Sequence, residues 1–333
     1  MTAQPDRLID GFGRVIDYVR LSVTDRCDFR CVYCMAEDME FVPRQQVLTL
    51  EEMALISRAF IGLGVKRIRL TGGEPLIRNN VQWLVEQLGQ EKDLDELLLT
   101  TNGSQLPRLA ENLYQAGLGR INISLDSLQP ERFKRLTRTG KLATVLKGID
   151  SARAAGFKRI KINSVILKGR NEDEVLDLVE FCRAKELDIS FIEEMPLGHI
   201  VEHDRALSFI SSEDIRDTID SRYPLTPSSD KTGGPSRYHR MQDSNIRIGF
   251  ISPHSNNFCG DCNRVRVTAE GRLILCLGNE DSLDLRAITR NQPGEIAPLQ
   301  SAIVSALTHK PERHHFDLHD EPSIVRFMNM TGG

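Results

Sequence analysis

The sequence predicts an α/β protein built on a parallel sheet with helices packed outside it. Short runs rich in β-branched residues alternate with amphipathic stretches about six times along the first half of the chain. Glycines stand where helices should end and turn toward the next strand, at positions 62, 64, 117 and 156. This β–α period favours parallel strand pairing, but it does not decide between an open sheet and a partial barrel.

The predicted elements follow one another in regular order. The strand candidates lie at 15–23, 67–70, 96–100, 120–125, 159–165 and 188–192. The helix candidates lie between them at 50–63, 80–88, 107–116, 144–155 and 172–184. Every unusual residue of this half follows a strand, and ligands gather at the carboxyl ends of parallel strands. We therefore expect the functional site at that edge of the sheet.

The alternation stops after residue 192. Turn-rich stretches around Pro224 and Gly233 indicate an irregular cap or linker over 193–245. A second module then begins at about residue 246. We thus expect an α/β domain at 1–192, the irregular segment at 193–245 and a C-terminal module at 246–333.

Composition restricts the class of protein and its partners. The 333 residues are 40% hydrophobic and carry a net charge of -4, which supports a sizeable core and argues against a broad nucleic-acid surface. The chain has no run of about eighteen apolar residues, and its polar N-terminus lacks the apolar core of a signal peptide. Cysteines in two tight groups suit metal binding in a reducing compartment better than disulfides. We expect a cytoplasmic enzyme without a membrane or nucleic-acid partner.

Three cysteines stand close together behind the first predicted strand. Cys27, Cys31 and Cys34 are separated by intervals of four and three residues. Three thiolates can hold three corners of a [4Fe-4S] cluster and leave its fourth iron open to a small molecule. A structural zinc site is the alternative, but zinc usually requires a local fourth Cys or His. The spacing therefore favours a reaction site over an electron relay.

A second group of three cysteines lies in the C-terminal module. Cys259 and Cys262 enclose Gly260, which would permit a tight chelating turn, and Cys276 follows after thirteen further residues. The sequence between them predicts a β-hairpin that returns Cys276 toward the first two cysteines. A zinc ribbon is the alternative, although no histidine stands at the usual spacing. The spacing favours a second cluster.

These motifs carry a family resemblance. The first cysteine group, with Tyr33 before its last member, resembles the cluster motif of radical S-adenosylmethionine (SAM) enzymes, and residues 71–75 resemble their SAM-binding motif. The wider pattern resembles the GTP 3',8-cyclase family from about residue 13 to the end. It includes the distal cysteines, the terminal Gly332 and Gly333, and the stretches 20–27, 100–103, 122–127 and 161–163. Two minor departures are Asp28 and Thr331, where the family more often has Asn and Ile or Val.

The resemblance implies a fold and a set of cofactors. The fold is a partial (β/α)6 barrel of the radical SAM type with a C-terminal module that carries a second iron–sulfur cluster. The cofactors are SAM and two [4Fe-4S] clusters, the first on Cys27, Cys31 and Cys34 and the second on Cys259, Cys262 and Cys276. The positions that match SAM contacts of the family are Tyr33, Gly73, Glu74, Ser124 and Met195.

The resemblance also implies GTP as the substrate of a lyase reaction early in molybdenum cofactor biosynthesis. A 5'-deoxyadenosyl radical removes hydrogen from ribose C3', and that carbon then attacks guanine C8. Guanidinium groups suit phosphate oxygens, and the matching GTP positions are Arg20, Arg69, Thr100, Lys161, Arg264 and Arg266. For each cation alone, an outward solvated charge is the alternative. The implied catalytic set adds Gly332 and Gly333 to the first cysteines, Arg264 and Arg266, because the family's tail reaches into its active site.

The family further implies an electron donor of unknown identity, delivery of product to cyclic pyranopterin monophosphate synthase, and a homodimer. Two other functional classes stay open from the sequence. One is a different radical SAM enzyme with an auxiliary cluster, such as a peptide-maturing dehydrogenase, which usually carries more C-terminal cysteines. The other is a non-enzymatic iron–sulfur scaffold or electron carrier, which leaves residues 72–74 unexplained.

Overall fold

The computed structural model describes residues 7–200, 203–314, 316 and 324–332. Within these residues a 12-stranded sheet runs through the molecule. Its strands are β1 (Tyr18–Ser22), β2 (Arg67–Thr71), β3 (Glu96–Thr101), β4 (Arg120–Ser124), β5 (Ile160–Val165), β6 (Asp188–Ile192), β7 (Leu225–Pro227), β8 (Arg237–Met241), β9 (Arg247–Ile251), β10 (Arg264–Val267), β11 (Arg272–Ile274) and β12 (Ser282–Asp284).

Helices connect most of the strands. They are α1 (Leu50–Gly62), α2 (Val81–Gly89), α3 (Leu106–Gln115), α4 (Pro130–Thr137), α5 (Leu142–Ala154), α6 (Val175–Lys185), α7 (Arg205–Ser208), α8 (Ser212–Asp220), α9 (Leu285–Asn291), α10 (Ala297–Leu307) and α11 (Met328–Thr331). Local sequence sets the start of α1, where the Thr49 hydroxyl accepts from the Glu52 N–H at 3.2 Å and the Glu52 carboxylate accepts from the Thr49 N–H at 2.8 Å. In the described part of the chain, no helix has the length and apolar character needed to cross a bilayer.

Strands β1 to β6 are neighbours in chain order and pair in parallel throughout. This confirms the predicted α/β fold and the partial (β/α)6 barrel. Strand residues such as Ile68, Leu99, Ile121 and Ile162 are completely buried in the apolar core. Burial on both faces explains why these strands are nearly continuous apolar runs in the sequence.

The C-terminal half of the chain extends the barrel at both of its edges. β9 pairs in parallel with β6, and β10 pairs in parallel with β1. Antiparallel strands continue the sheet beyond each of them, β8 and β7 on one side and β11 and β12 on the other. The segment 252–263 joins β9 to β10 and therefore crosses from one edge of the barrel to the other. It carries Cys259 and Cys262 across the open side of the barrel.

Three features differ from the sequence-based expectation. The segment 193–245 is not irregular, because it contains α7, α8 and the antiparallel strands β7 and β8. β7 is a short edge strand without buried side chains, so its sequence lacks an apolar period. α4 was not predicted, although Pro130 and Glu131 mark its first turn, because it buries only Phe133, Leu136 and Thr137. The first strand begins at Tyr18 rather than at residue 15.

Candidate active site

Both cysteine groups line one cavity at the carboxyl ends of the barrel strands. The cavity wall also contains Tyr33, Gly73, Ser124, Met195 and the predicted GTP contacts Arg20, Arg69, Thr100, Lys161, Arg264 and Arg266. Two other predicted site residues do not line the cavity wall. Glu74 is buried behind the wall, and Gly332 contacts the arginines from the C-terminal segment. Gly333 lies outside the described residues. The fold thus brings together residues that are up to about 300 positions apart.

The first cysteine group lies in the loop after β1, and α4 holds that loop. The backbone N–H groups of Arg30 and Val32 donate to the carbonyl oxygens of Thr137 at 2.9 Å and Leu136 at 3.0 Å. These bonds satisfy backbone groups at the end of α4 that have no partner within the helix. The helix missed by the sequence analysis is therefore part of the site.

Two sulfur atoms of the first group, those of Cys27 and Cys34, accept N–H hydrogen bonds. The Phe29 N–H lies 3.3 Å from Cys27 Sγ, and the backbone N–H of Asn329 donates to Cys34. Burial raises the pKa of all three thiols above the ordinary range, that of Cys34 to about 12. Because metal binding requires thiolates, loading this site with a cluster must release protons.

Gly72 and Gly73 pack directly against the backbone of the cysteine loop. A Cβ on Gly73 would stand 2.4 Å from the carbonyl oxygen of Arg26, and one on Gly72 would stand 2.5 Å from that of Thr24. The Gly73 and Glu74 N–H groups each donate to this loop at 2.8 Å. Absence of side chains is therefore required for the two loops to approach each other. The sequence analysis had connected these glycines with SAM alone.

The carboxylate of Glu74 is fully buried and already hydrogen-bonded. It accepts from Leu76 N at 2.9 Å, from Thr101 Oγ1 at 2.7 Å and from Asn102 N at 2.6 Å. Burial raises the pKa of Glu74 to about 7 in spite of these donors. Glu74 therefore ties the ends of β2 and β3 together beside the first cysteine group.

Tyr33 and Asp126 form a hydrogen-bonded pair in the cavity wall. The Tyr33 hydroxyl donates to Asp126 Oδ2 at 2.7 Å, and the other carboxylate oxygen accepts from Val165 N at 2.9 Å. Burial raises the pKa of Asp126 to about 6. The pair fixes the cysteine loop to the ends of β4 and β5, close to Ser124 at the last position of β4.

Three arginines stand side by side across neighbouring strands. Arg20 on β1 is in register with Arg69 on β2 and with Arg266 on β10. Arg69 donates to the Leu99 carbonyl oxygen at 2.8 Å and to Thr100 Oγ1 at 3.3 Å. A row of like charges is unfavourable without an anion between them, so this row is suited to phosphate.

The electrostatics of this region agree with an anion site. Burial lowers the pKa of Arg20 and Lys161, and it lowers that of Arg266 to about 10. Among the described residues, no carboxylate forms an ion pair with Arg69, Lys161, Arg264 or Arg266. Additional cavity residues that the sequence analysis missed are Tyr18, Arg120 and Tyr238, which follow no local motif.

The second cysteine group is assembled from two segments. Cys259 and Cys262 bracket a short 3-10 turn in the crossing segment 252–263, and Cys276 follows β11 of the predicted hairpin. N–H groups are directed at each sulfur: His314 N lies 3.5 Å from Cys259 Sγ, Lys310 Nζ lies 3.7 Å from Cys262 Sγ, and the backbone at position 278 donates to Cys276. Burial acts to raise the pKa of Cys262, but the positive charges of Lys310, Arg264 and Arg14 together bring it below its ordinary value.

Gly260 is not needed for the turn between the first two of these cysteines. A Cβ at this position would meet no atom within 4 Å, and the backbone is not in the left-handed region. The expectation of a glycine-dependent chelating turn is therefore wrong. The crossing segment is instead held by Glu193 at the end of β6, which accepts from Ser212 N at 2.8 Å, His254 N at 3.0 Å and Ser255 N at 3.1 Å.

Glu194 holds the chain that follows β6 in a similar way. Its Oε1 accepts from Arg205 Nε at 3.0 Å, and both groups are buried. Arg205 then donates to the carbonyl oxygens of Leu197 at 2.6 Å and Gly198 at 2.9 Å. Because these residues directly follow Met195, the ion pair fixes the turn that places Met195 in the cavity wall. No sequence motif marked it, since Glu194 and Arg205 are 11 positions apart in the chain.

The C-terminal segment enters the same region. The Gly332 carbonyl oxygen accepts from Arg20 Nε at 3.3 Å and from an Arg266 guanidinium nitrogen. Gly332 has a φ of +77°, and a Cβ there would stand 2.2 Å from Thr71 Oγ1. Only glycine fits this position without displacement. The tail therefore contacts two arginines of the cationic row.

The three thiols of each cysteine group, with N–H groups directed at sulfur, fit an iron–sulfur cluster. Among the residues that the structure describes, no three Cys, His, Asp or Glu side chains are gathered to hold a metal ion. A [4Fe-4S] cluster binds each thiolate through a different iron, so its three sulfur ligands stand farther apart than those of one zinc ion. The N–H groups directed at sulfur supply the hydrogen bonds that iron–sulfur clusters commonly receive.

Two family models match the chain. The Radical SAM superfamily matches residues 21–182, and Molybdenum Cofactor Synthesis C matches residues 187–316. "GTP 3',8-cyclase 2" of Pseudomonas aeruginosa is 61% identical over 98% of this chain and 99% of its own length. "GTP 3',8-cyclase" of Marinobacter nauticus is 60% identical over the same shares of the two chains.

A solved structure of similar fold is Streptococcus suis SuiB bound to S-adenosylmethionine. It has a TM-score of 0.62 and 15% identity to this chain, and the match covers 95% of this chain and 78% of SuiB. At this identity the likeness concerns the fold alone. The relatives at 61% and 60% identity are both GTP 3',8-cyclases. A peptide-maturing dehydrogenase is therefore not favoured as the function of this chain.

Proposed function

This chain belongs to the GTP 3',8-cyclase family of radical SAM enzymes, and on that premise we propose that it converts GTP into (8S)-3',8-cyclo-7,8-dihydroguanosine 5'-triphosphate. The observation that carries the proposal is the shared cavity. Both cysteine groups and the cationic row of Arg20, Arg69 and Arg266 line it together. A polyanionic substrate held by the row would lie between the two groups. The reaction is an early step of molybdenum cofactor biosynthesis.

A [4Fe-4S] cluster and SAM are the cofactors of the radical SAM family. In this chain Cys27, Cys31 and Cys34 would hold the cluster, and when bound with SAM it supplies a 5'-deoxyadenosyl radical. The residues that would bind SAM are Tyr33, Gly73, Glu74, Ser124 and Met195. The support is positional, since four of the five line the cavity and the fifth joins β2 to β3 beside the cysteine loop.

The triphosphate would be held by the cationic side of the cavity. Arg20, Arg69, Lys161, Arg264 and Arg266 supply charge, and Thr100 supplies a hydroxyl. Burial makes each charge-assisted hydrogen bond stronger than at the surface, because water does not compete for the donors. The pairing of β10 with β1 places Arg264 and Arg266 beside the cations of the barrel, so that both parts of the chain would act on one ligand.

A second [4Fe-4S] cluster would be bound by Cys259, Cys262 and Cys276. Its support is the set of three thiols with N–H groups directed at sulfur, placed on the segment that crosses the open side of the barrel. An iron without a protein ligand could take guanine as its ligand there and orient the base for ring closure. Gly332 and Gly333 would complete the site from the tail, and Gly332 already contacts Arg20 and Arg266.

Several finer features stay predictions. They are the three-part division at residues 192 and 245, the cytoplasmic location, the homodimer, the electron donor, and delivery of product to cyclic pyranopterin monophosphate synthase. The family model for the C-terminal part covers residues 187–316 and begins just before β6.

Anaerobic turnover tests the proposal. The reconstituted protein with SAM, dithionite and GTP should form 5'-deoxyadenosine together with a cyclised nucleotide, detected by mass spectrometry after separation from GTP. GTP deuterated at C3' should transfer deuterium to 5'-deoxyadenosine. Formation of 5'-deoxyadenosine without deuterium and without a GTP-derived product would rule the proposed activity out.

A further inference from the structure

Lys310 is a buried cation at the second cysteine group. It follows α10, only 2% of its surface is exposed, and its Nζ lies 3.7 Å from Cys262 Sγ. The same ammonium donates to the carbonyl oxygen of Leu275, which directly precedes Cys276. Lys310 therefore contacts the Cys262 sulfur and the backbone next to Cys276 at once.

No carboxylate of the described residues compensates the burial of Lys310. Among the described residues it forms no ion pair, and its acceptors are a sulfur and a carbonyl oxygen. Lysine is rarely fully buried unless it is paired, and an unpaired buried charge costs several kcal/mol. Thiolates that bind a cluster would supply the missing negative charge. A cluster bound by the second cysteine group would therefore account for the burial of the Lys310 charge.

Two neighbouring arginines, Arg14 and Arg264, make their described side-chain contacts to groups other than sulfur. Arg14 forms an ion pair with Asp10 at 2.6 Å and donates to the Cys259 carbonyl oxygen at 2.9 Å. Arg264 lies over the ring of Phe258, with 5.6 Å between its guanidinium carbon and the ring centroid. Among the described residues, Lys310 is the side-chain cation with a hydrogen bond to a sulfur of this group.

Arg14 also holds the segment that carries Lys310. Its second guanidinium nitrogen donates to the carbonyl oxygen of Pro311 at 2.7 Å. One arginine therefore ties the chain next to Lys310 to the loop of Cys259. The ammonium is fixed relative to the sulfur atoms rather than placed by a flexible surface chain.

We propose that Lys310 is the counter-ion of the second cluster and that its charge raises the reduction potential of that cluster. The inference rests on the proposed function, because it requires a [4Fe-4S] cluster on Cys259, Cys262 and Cys276. Three thiolates outweigh the charge of an oxidised [4Fe-4S] core, so the loaded site is anionic, and reduction adds one more negative charge. A fixed ammonium stabilises the reduced form more than the oxidised form. Lys310 is a positioning residue that acts through the cluster.

The test is a redox titration followed by electron paramagnetic resonance of full-length reconstituted protein. Lys310→Met removes the charge at nearly constant length, Lys310→Arg keeps it, and Lys147→Met repeats the first substitution on the exposed face of α5. A full-length variant with Cys27, Cys31 and Cys34 changed to Ala assigns the signal of the second cluster. We expect Lys310→Met to shift that cluster to lower potential, while Lys310→Arg, Lys147→Met and the first cluster stay near their parent values.

Each outcome is decisive for the inference. An unchanged potential in a fully iron-loaded Lys310→Met variant would overturn it. If Lys310→Met loses the second cluster, retention by Lys310→Arg would support the role of charge, whereas loss in both variants would show a packing role and overturn it. A parent protein that binds no second cluster would instead contradict the proposed function, and iron analysis of the parent distinguishes this case before any variant is compared.

Discussion

Asn329 Nδ2 donates to the carbonyl oxygen of Asp25 at 2.9 Å and so joins the C-terminal segment to the first cysteine loop. Asn329 is fully buried, and its backbone N–H donates to Cys34. The tail and the loop therefore form one structural unit although they are 304 positions apart. A substitution in the tail should therefore alter the first cysteine loop, and a substitution in the loop should alter the tail.

Asn329→Ala should loosen the tail without removing the first cluster. The substitution deletes the bond to Asp25 but keeps the backbone N–H that faces Cys34. Loss of one buried hydrogen bond costs about 1–3 kcal/mol, because the Asp25 oxygen is left unsatisfied. We expect slower GTP cyclisation, faster release of C-terminal residues by carboxypeptidase, and unchanged iron content. Iron loss with a protected tail would contradict this assignment.

Deletion of Gly332 and Gly333 should suppress GTP cyclisation while both clusters and the unfolding temperature stay intact. The described part of the tail contacts Arg20 and Arg266 through the Gly332 carbonyl oxygen, so its removal changes the site and not the core. A peptide that ends in the same residues should partly restore turnover. Wild-type rates in the truncated enzyme would show that the tail is merely a frayed end.

Gly332→Ala tests the fit of the tail separately. The added Cβ would meet Thr71 Oγ1 at 2.2 Å in a backbone conformation that favours glycine, so we expect reduced cyclisation with normal SAM binding. Gly119→Ala is the matched control, since its Cβ would make only an ordinary contact at 3.5 Å. Equal activity of the two variants would contradict a close fit.

The cysteine groups should differ in what their loss removes. The intact protein should hold about eight irons in two [4Fe-4S] clusters. Ala at Cys27, Cys31 or Cys34 should abolish SAM cleavage, because SAM would lose its iron. Ala at Cys259, Cys262 or Cys276 should abolish product but leave some uncoupled SAM cleavage. Zinc at the second group of anaerobically isolated, fully active protein would refute the two-cluster assignment.

Arg266→Ala and Lys161→Ala should each weaken GTP binding by about 1–3 kcal/mol, because each removes a charge-assisted contact. Equilibrium dialysis under anaerobic conditions measures this, and SAM binding should stay near normal. Arg266 also contacts the tail, whereas Lys161 has no described contact with it, so the Lys161→Ala variant tests phosphate binding apart from tail binding. Arg216→Ala, at an exposed position of α8, serves as the control. The pocket assignment fails if both variants bind GTP like the parent.

Glu194→Gln should destabilise the protein by about 3–5 kcal/mol, because it leaves the buried Arg205 without its carboxylate. The turn with Met195 depends on Arg205, so SAM binding should weaken as well. Urea unfolding of metal-free protein measures the first effect. Glu213→Gln removes an exposed partner of Arg216 and should change the free energy of unfolding by less than about 1 kcal/mol. Similar effects of the two substitutions would show that burial of the pair is unimportant.

Features that depend on neighbouring positions in the chain could be predicted from the sequence. The parallel α/β order follows from periodicity and helix-ending glycines, and the cysteine groups follow from spacing within short segments. α4 was missed because it is short, polar on average and buries only Phe133, Leu136 and Thr137. The prediction for Gly260 was wrong because glycine also occurs where no backbone constraint requires it.

The chemical groups of the site and the alternation of the first six strands with helices follow from the amino-acid sequence alone. Tertiary packing sets the pairing of β10 with β1, which brings Arg266 beside Arg20, and the course of the segment 252–263 across the open side of the barrel. Lys310 and Asn329 owe their positions near sulfur to contacts with residues distant in the chain. Such contacts result from the burial of whole surfaces and not from the spacing of neighbouring residues, so no local sequence motif predicts them.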